Sequence, residues 1–165
     1  MNKNLFFLLG IGLLFTACGP SKPECKFDPP VALFTEAHPE VKSQSFEIEG
    51  MRAVESVEFV KPIQLELLQD GCETTEQDFR FTIDNVPDQP DEYWIVQTIS
   101  CFRYMVSASD KLGPTGQQLI NALQAAAPDL KLGQRLPLAP GFFIRVDKVD
   151  SGDKCILSAN FSEGI

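Results

Sequence analysis

Apolar residues along this chain recur with a period of two, then of a helical turn, then of two again, and that order limits the fold more than any other feature. Phe46 and Ile48 alternate with Glu47 and Glu49 up to Gly50, the pattern of a half-buried strand. Val57 and Phe59 carry the signal on. Pro62 then marks an edge position or a strand start, because proline has no N–H to give to a ladder. Ile63, Leu65 and Leu67 alternate with Gln64, Glu66 and Leu68, Asp70-Gly71 signals a turn, and Phe79, Phe81 and Ile83 return against Arg80, Thr82 and Asp84. This predicts an antiparallel hairpin with Cys72 in its loop, apolar on one face and wet on the other.

Pro87 to Pro90 break the chain, and Asp91-Glu92 open a helix with acids at the end where the dipole favours them. Trp94, Ile95, Thr98, Ile99, Phe102, Met105 and Val106 share one side at helical spacing, with Ser100, Arg103 and Tyr104 opposite. The result is an amphipathic helix of about four to five turns. Gly113-Pro114 is expected to end it, Thr115 to cap a second helix with Leu119, Ile120, Leu123 and Ala126 inward, and Pro128 to stop that one. Period two then returns. Phe142, Ile144 and Val146 share one face, Phe143, Arg145 and Asp147 the other, and beyond the turn at 150–153 Cys155, Leu157, Ala159 and Phe161 align. Strands, two helices, then strands predict an α+β domain: an antiparallel β-sheet with two helices packed on one face, disulfide-bonded.

The first residues have a different character. Lys3 precedes an apolar run, Leu5 to Phe15, and Phe15-Thr16-Ala17 leads into Cys18. Charge, short apolar segment, small residue and cleavage point make a secretory signal peptide. Its 11 apolar-run residues fall well short of the roughly 20 that span a bilayer. With cysteine at the cleavage point, the segment resembles the lipobox of bacterial lipoproteins, with Phe15 where that family usually has Leu. The resemblance covers the leader alone. It implies that residues 1–17 are removed, that Cys18 becomes the lipidated first residue, and that the protein is held on a membrane surface of the bacterial cell envelope. Ordinary signal peptidase wants small residues at minus one and minus three, and Phe15 is too large for the second. Residues 18–43 are then a lipid-anchored tether and 44–165 the single domain. Gly-Pro, Lys-Pro and Pro-Pro steps punctuate 19–30, and Phe27 and Val31 to Phe34 are the tether's apolar handles.

Cys25, Cys72, Cys101 and Cys155 remain after Cys18, with no Cys-x-x-Cys pair and one histidine in the chain. Zinc wants closely spaced thiolate and imidazole ligands, so no metal is expected. An exported chain with an even count favours disulfides, for which four cysteines allow three connectivities. Cys101 lies at the edge of the apolar helix stripe, and Cys155 points with the core residues toward a covering helix. This favours Cys101–Cys155 and leaves Cys25–Cys72. Such a bridge would pin the tether after a few residues.

Losing residues 1–17 removes Lys3 and no acid, so the formal charge of −9 becomes −10. That balance repels phosphate backbones and excludes nucleic acid as a partner. It favours solubility and offers a docking face to a basic envelope or secreted protein.

Catalytic constellations are scarce. His38 stands between Glu36 and Glu40 with no activated serine pattern, and no Gly-x-Ser-x-Gly elbow occurs. Glu73, Glu76 and Asp78 crowd one turn and Asp147, Asp150 and Asp153 another, without the alternating ligands of a calcium loop. Trp94, Phe102, Phe142 and Phe161 lie at core spacing. Phe143 and Arg145 point outward and, with Arg103 and Tyr104, are expected to seed a binding patch, since exposed aromatics and arginine favour interfaces. The expectation is a non-enzymatic interaction module without cofactor, an acidic inhibitor or immunity-type binder of a basic protein. The alternative is a carrier holding a lipid or small hydrophobe between sheet and helices.

Overall fold

The computed structural model describes residues 25–72 and 74–163. Seven strands and two helices follow one another as β1 (Val41–Glu49), β2 (Arg52–Phe59), β3 (Gln64–Gly71), β4 (Thr75–Asp84), α1 (Asp91–Ser107), α2 (Gly113–Ala126), β5 (Arg135–Ala139), β6 (Phe142–Ser151) and β7 (Lys154–Glu163). The strands form one sheet in the order β1-β2-β3-β4-β7-β6-β5, every neighbour antiparallel. The expected α+β architecture is therefore the observed one. Its less obvious feature is that the last strand, β7, inserts between β4 and β6.

Strand alternation sorts the two faces. Val57, Phe59, Leu65, Leu67, Phe79, Phe81, Ile144, Val146, Leu157 and Phe161 are buried on one side. The expected helix face, Trp94, Ile95, Thr98, Ile99, Phe102 and Met105, is buried as well. Phe102 meets Phe79, Phe81 and Phe161 at ring-centroid distances of 5.0, 5.2 and 5.9 Å, the offset and edge geometries that aromatic quadrupoles prefer. Phe142 departs from the expected core: at the start of β6 it is 38% exposed. Parity puts it on the core side, but it lies at the strand's end, paired with Ala139 and Glu163 at the ends of β5 and β7.

Pro114 starts α2 instead of ending the preceding element. It occupies the first turn of α2, and no side chain caps that helix, consistent with a residue whose missing N–H is one of the unpaired donors there anyway. Gly116 is buried where the helices approach. A Cβ at this position would stand 2.6 Å from Val106 Cγ2 and 3.2 Å from Leu112 Cβ. β5 was not anticipated from sequence, because Pro137 sits inside it; its place at the sheet edge makes that proline acceptable.

Ordered structure begins before Gln44. Cys25 is bridged to Cys72 beside the β3–β4 connection, and the Lys26 amide donates to the Cys72 carbonyl at 2.8 Å. Further along, the Leu33 and Phe34 amides donate to the two carboxylate oxygens of Glu55 at 2.7 and 3.0 Å. The Gln44 side chain donates to Glu55 Oε1 at 2.9 Å. Glu55 lies on the core face of β2 and is fully buried. Ser109, between the helices, donates to the Leu33 carbonyl at 2.5 Å, and Phe34 packs on Phe59 at 5.7 Å. Residues 25–34 are thus a strap over the β2 side of the core.

Glu55→Ala leaves the Leu33 and Phe34 amides without their acceptor, and a stability loss of about 3 kcal/mol is expected in urea unfolding. Glu55→Gln should recover part of it. A loss below about 0.5 kcal/mol would mean that the Cys25–Cys72 bridge and Phe34 alone hold the strap. Gly116→Ala should cost about 1–3 kcal/mol through overpacking against the stiff Val106 side chain, read in the same assay.

Candidate functional site

The expected patch does not assemble. Arg103 and Tyr104 belong to α1, on the helix side of the sheet, while Phe143 and Arg145 project from the open face of β6. The outward side of a covering helix and the outward side of the strand beneath it point in opposite directions. Tyr104 is also engaged internally: its hydroxyl donates to Glu40 Oε2 at 2.6 Å, its ring meets Phe59, and the Lys61 ammonium sits 4.3 Å above it. Burial first, then the Glu40 contact, raises its phenol pKa. Phe143 is half-buried under the Arg135 guanidinium at 4.0 Å, and Arg145 pairs with Asp147. Of the four, Arg103 alone is left as a plain exposed side chain.

The cysteines divide differently from expectation. Cys25–Cys72 is formed, but Cys101 and Cys155 are free buried thiols. Each thiol packs as a small apolar group. Cys101 belongs to the main core and Cys155 to an adjoining cluster with Trp94 and Leu157. Burial, followed by the nearby Cys155, pushes the Cys101 thiol up to about 12, and burial likewise raises that of Cys155. Both stay protonated and are poor nucleophiles.

His38 accepts the Glu40 amide at its Nδ1, 3.2 Å away, which ties it to its own turn. Asp147 and Asp150 lie on opposite faces of β6 and pair with Arg145 and Lys148 respectively. Glu76 accepts from Asn160 and Asp78 from Arg80 and Ser158 on the open face, while Glu73 lies outside the described residues, as do Cys18 and the leader. Among the described residues no three His, Cys, Asp or Glu side chains gather as metal ligands.

Among the recesses of the described surface, two lie near the expected site residues or on the open face. A groove of about 410 Å³ runs beside α1, lined by Pro62, Ile63, Ile83, Val86, Tyr93 and Tyr104 with Lys61 and Asp84. A hollow of about 370 Å³ on the open face is lined by Ser43, Ser45, Ser56, Gln64, Glu66 and Thr82.

Charge is distributed unevenly over that open face. Lys42–Glu58, Arg52–Asp70, Lys154–Asp84 and Arg145–Asp147 are one-to-one pairs, while Arg80 is shared by Glu66 and Asp78. Glu47 and Glu49, on β1, have no cation within ion-pair reach among the described residues. Unpaired acid therefore lies along the β1 edge, where Glu49 stands across from the Asp70-paired Arg52, and also on β4, where Glu76 has only the Asn160 amide among the described residues. Sequence reading found the Phe46/Glu47/Ile48/Glu49 alternation but did not place it at an edge, and it missed Glu55, whose burial shows only once the strap is in position. Comparison with family models, with curated proteins and with solved structures finds no match to this chain.

Native protein lacking the leader and Cys18 should react slowly with an aromatic disulfide reagent. Unfolded without reductant, it should release two thiols; none would show a second bridge. At alkaline pH the unfolded Cys101 ionises near its ordinary 9.0, while the folded thiol holds its proton to about 12. The native state thus binds the extra proton, so stability is present below pH 9 and falls as pH rises across that interval. Cys101→Ala should flatten this decline in urea midpoints measured from pH 8 to 11.

Proposed function

We propose that the protein is a lipid-anchored module of a bacterial envelope that binds another protein, one of basic character, and does no covalent chemistry of its own. Glu47 and Glu49 carry this reading: neither has an ion-pair partner among the described residues, and both stand on an edge strand, where a partner can reach them. Opposite charges speed encounter and make it sensitive to salt. The anchor half rests on the lipobox-like Phe15-Thr16-Ala17-Cys18 and on how soon after it the Cys25–Cys72 bridge follows. From Cys18 to Cys25 the chain has seven steps, a reach of about 25 Å at most. A lipidated Cys18 would hold the β3–β4 end of the domain near the bilayer, each buried methylene adding about 0.8 kcal/mol of attachment.

The carrier alternative finds little support, because aromatic rings fill the sheet–helix interface. The groove beside α1 is open, and charged side chains share its lining.

Cys18→Ala should block maturation in cells and yield no processed, membrane-bound form by mass spectrometry and fractionation; a normally cleaved, lipid-free product would overturn the anchor. The wild-type domain should capture a basic partner from envelope extract at low salt and release it as salt rises. Salt-insensitive capture, or none, would remove the basic-partner reading.

A further inference from the structure

The two borders of the sheet are built differently. β5 has five residues, carries Pro137 and presents Arg135, features that discourage further pairing. β1 has nine residues, no proline, and an irregularity confined to Val41/Ser43 at its start. From Ser43 to Glu49 its register with β2 is unbroken. Within that stretch the Gln44 amide donates away from β2, to Glu36 Oε1 at 3.2 Å. Phe46 and Ile48 have the same parity, so their N–H and C=O groups also face outward. Among the described residues no hydrogen bond reaches them. Glu36 closes the edge at Gln44, and the opening begins just beyond it.

We propose that β1 from Ser45 to Glu49 is a strand-acceptor site that takes an extended segment of a partner, alternating apolar and basic residues, as an eighth strand. This deepens the basic-partner reading and rests on it. Main-chain groups of Phe46 and Ile48 supply the ladder, and side-chain neighbours supply the choice of sequence. On the helix side, Phe46 is half-buried and Ile48 is 49% exposed, so apolar residues of the added strand cover them. On the open side, Glu47 and Glu49 meet Lys or Arg, opposite charges across strands being favourable. A second copy of this chain fits poorly. Antiparallel pairing centred on the same stretch sets Glu47 against its own copy, a like-charge contact that destabilises.

The test uses the full mature chain in detergent micelles with two N-acetylated seven-residue probes, one alternating lysine with valine and one alternating glutamate with valine. The lysine probe should slow amide exchange at Phe46 and Ile48 by about tenfold or more, with β5 unaffected, and the glutamate probe should not. Ile48→Pro removes an outward N–H and leaves the β1–β2 ladder intact, so it should abolish this protection without lowering the unfolding temperature. The double variant Glu47→Lys, Glu49→Lys should reverse the preference between probes; it carries the test if the proline variant fails to fold. Protection elsewhere, binding unchanged by both variants, or no binding of the lysine probe overturns the edge site. So does a dimer of the wild-type chain that Ile48→Pro dissolves. The salt-dependent capture of a basic partner is read separately, so the edge can fail while that reading stands.

Discussion

One face of a seven-stranded sheet has to be kept dry, and two helices are too few to do it. Six inter-strand steps of about 4.8 Å span near 30 Å, whereas a pair of helices covers roughly 20 Å. The uncovered margin is roofed by the strap at 25–34, with Phe34 set against Phe59. An extended strap brings main-chain donors into an apolar region, where an unpaired amide is costly. Glu55 answers that need: a carboxylate in the middle of a core-facing row accepts both the Leu33 and Phe34 amides. A buried acid, ordinarily a defect, here follows from the shortage of helix. The Cys25–Cys72 bridge holds the far end of the same strap.

Legibility in the sequence tracked how local the determining physics was. The hairpin of β3 and β4 and the buried stripe of α1 follow from alternation and helical spacing alone, and both are present. Pro114 misled because a proline ends one helix and begins another with equal ease, and only the preceding backbone decides. Pro137 concealed β5 because its tolerance depends on an edge position that the local sequence does not state. The patch of Arg103, Tyr104, Phe143 and Arg145 failed for a related reason: periodicity says which residues share a side of an element, not which layer the element occupies. The expected Cys101–Cys155 bridge is absent because a cysteine on the core side of a strand or helix can pack as a small apolar group without a bond.

The candidate site shows the same division. The Phe46-Glu47-Ile48-Glu49 alternation was visible as a strand, and the acidic balance of the chain was visible as a total. That Glu47 and Glu49 stand at an open border, with Gln44 satisfied by Glu36 and no hydrogen bond reaching Phe46 or Ile48 among the described residues, depends on long-range pairing order. Where pairing stops is set by strand order, and a sequence without its partners in register does not disclose that.

The insertion of β7 between β4 and β6 makes the end of the chain a keystone. Until residues 154–163 arrive, β4 and β6 each present a bare border, and the two halves of the sheet have nothing to join them. A folding chain is therefore incomplete and adhesive until residues 154–163 pair, and contacts of such long sequence separation form slowly. Losing even that last strand to proteolysis would leave two sticky half-sheets where one finished surface had stood.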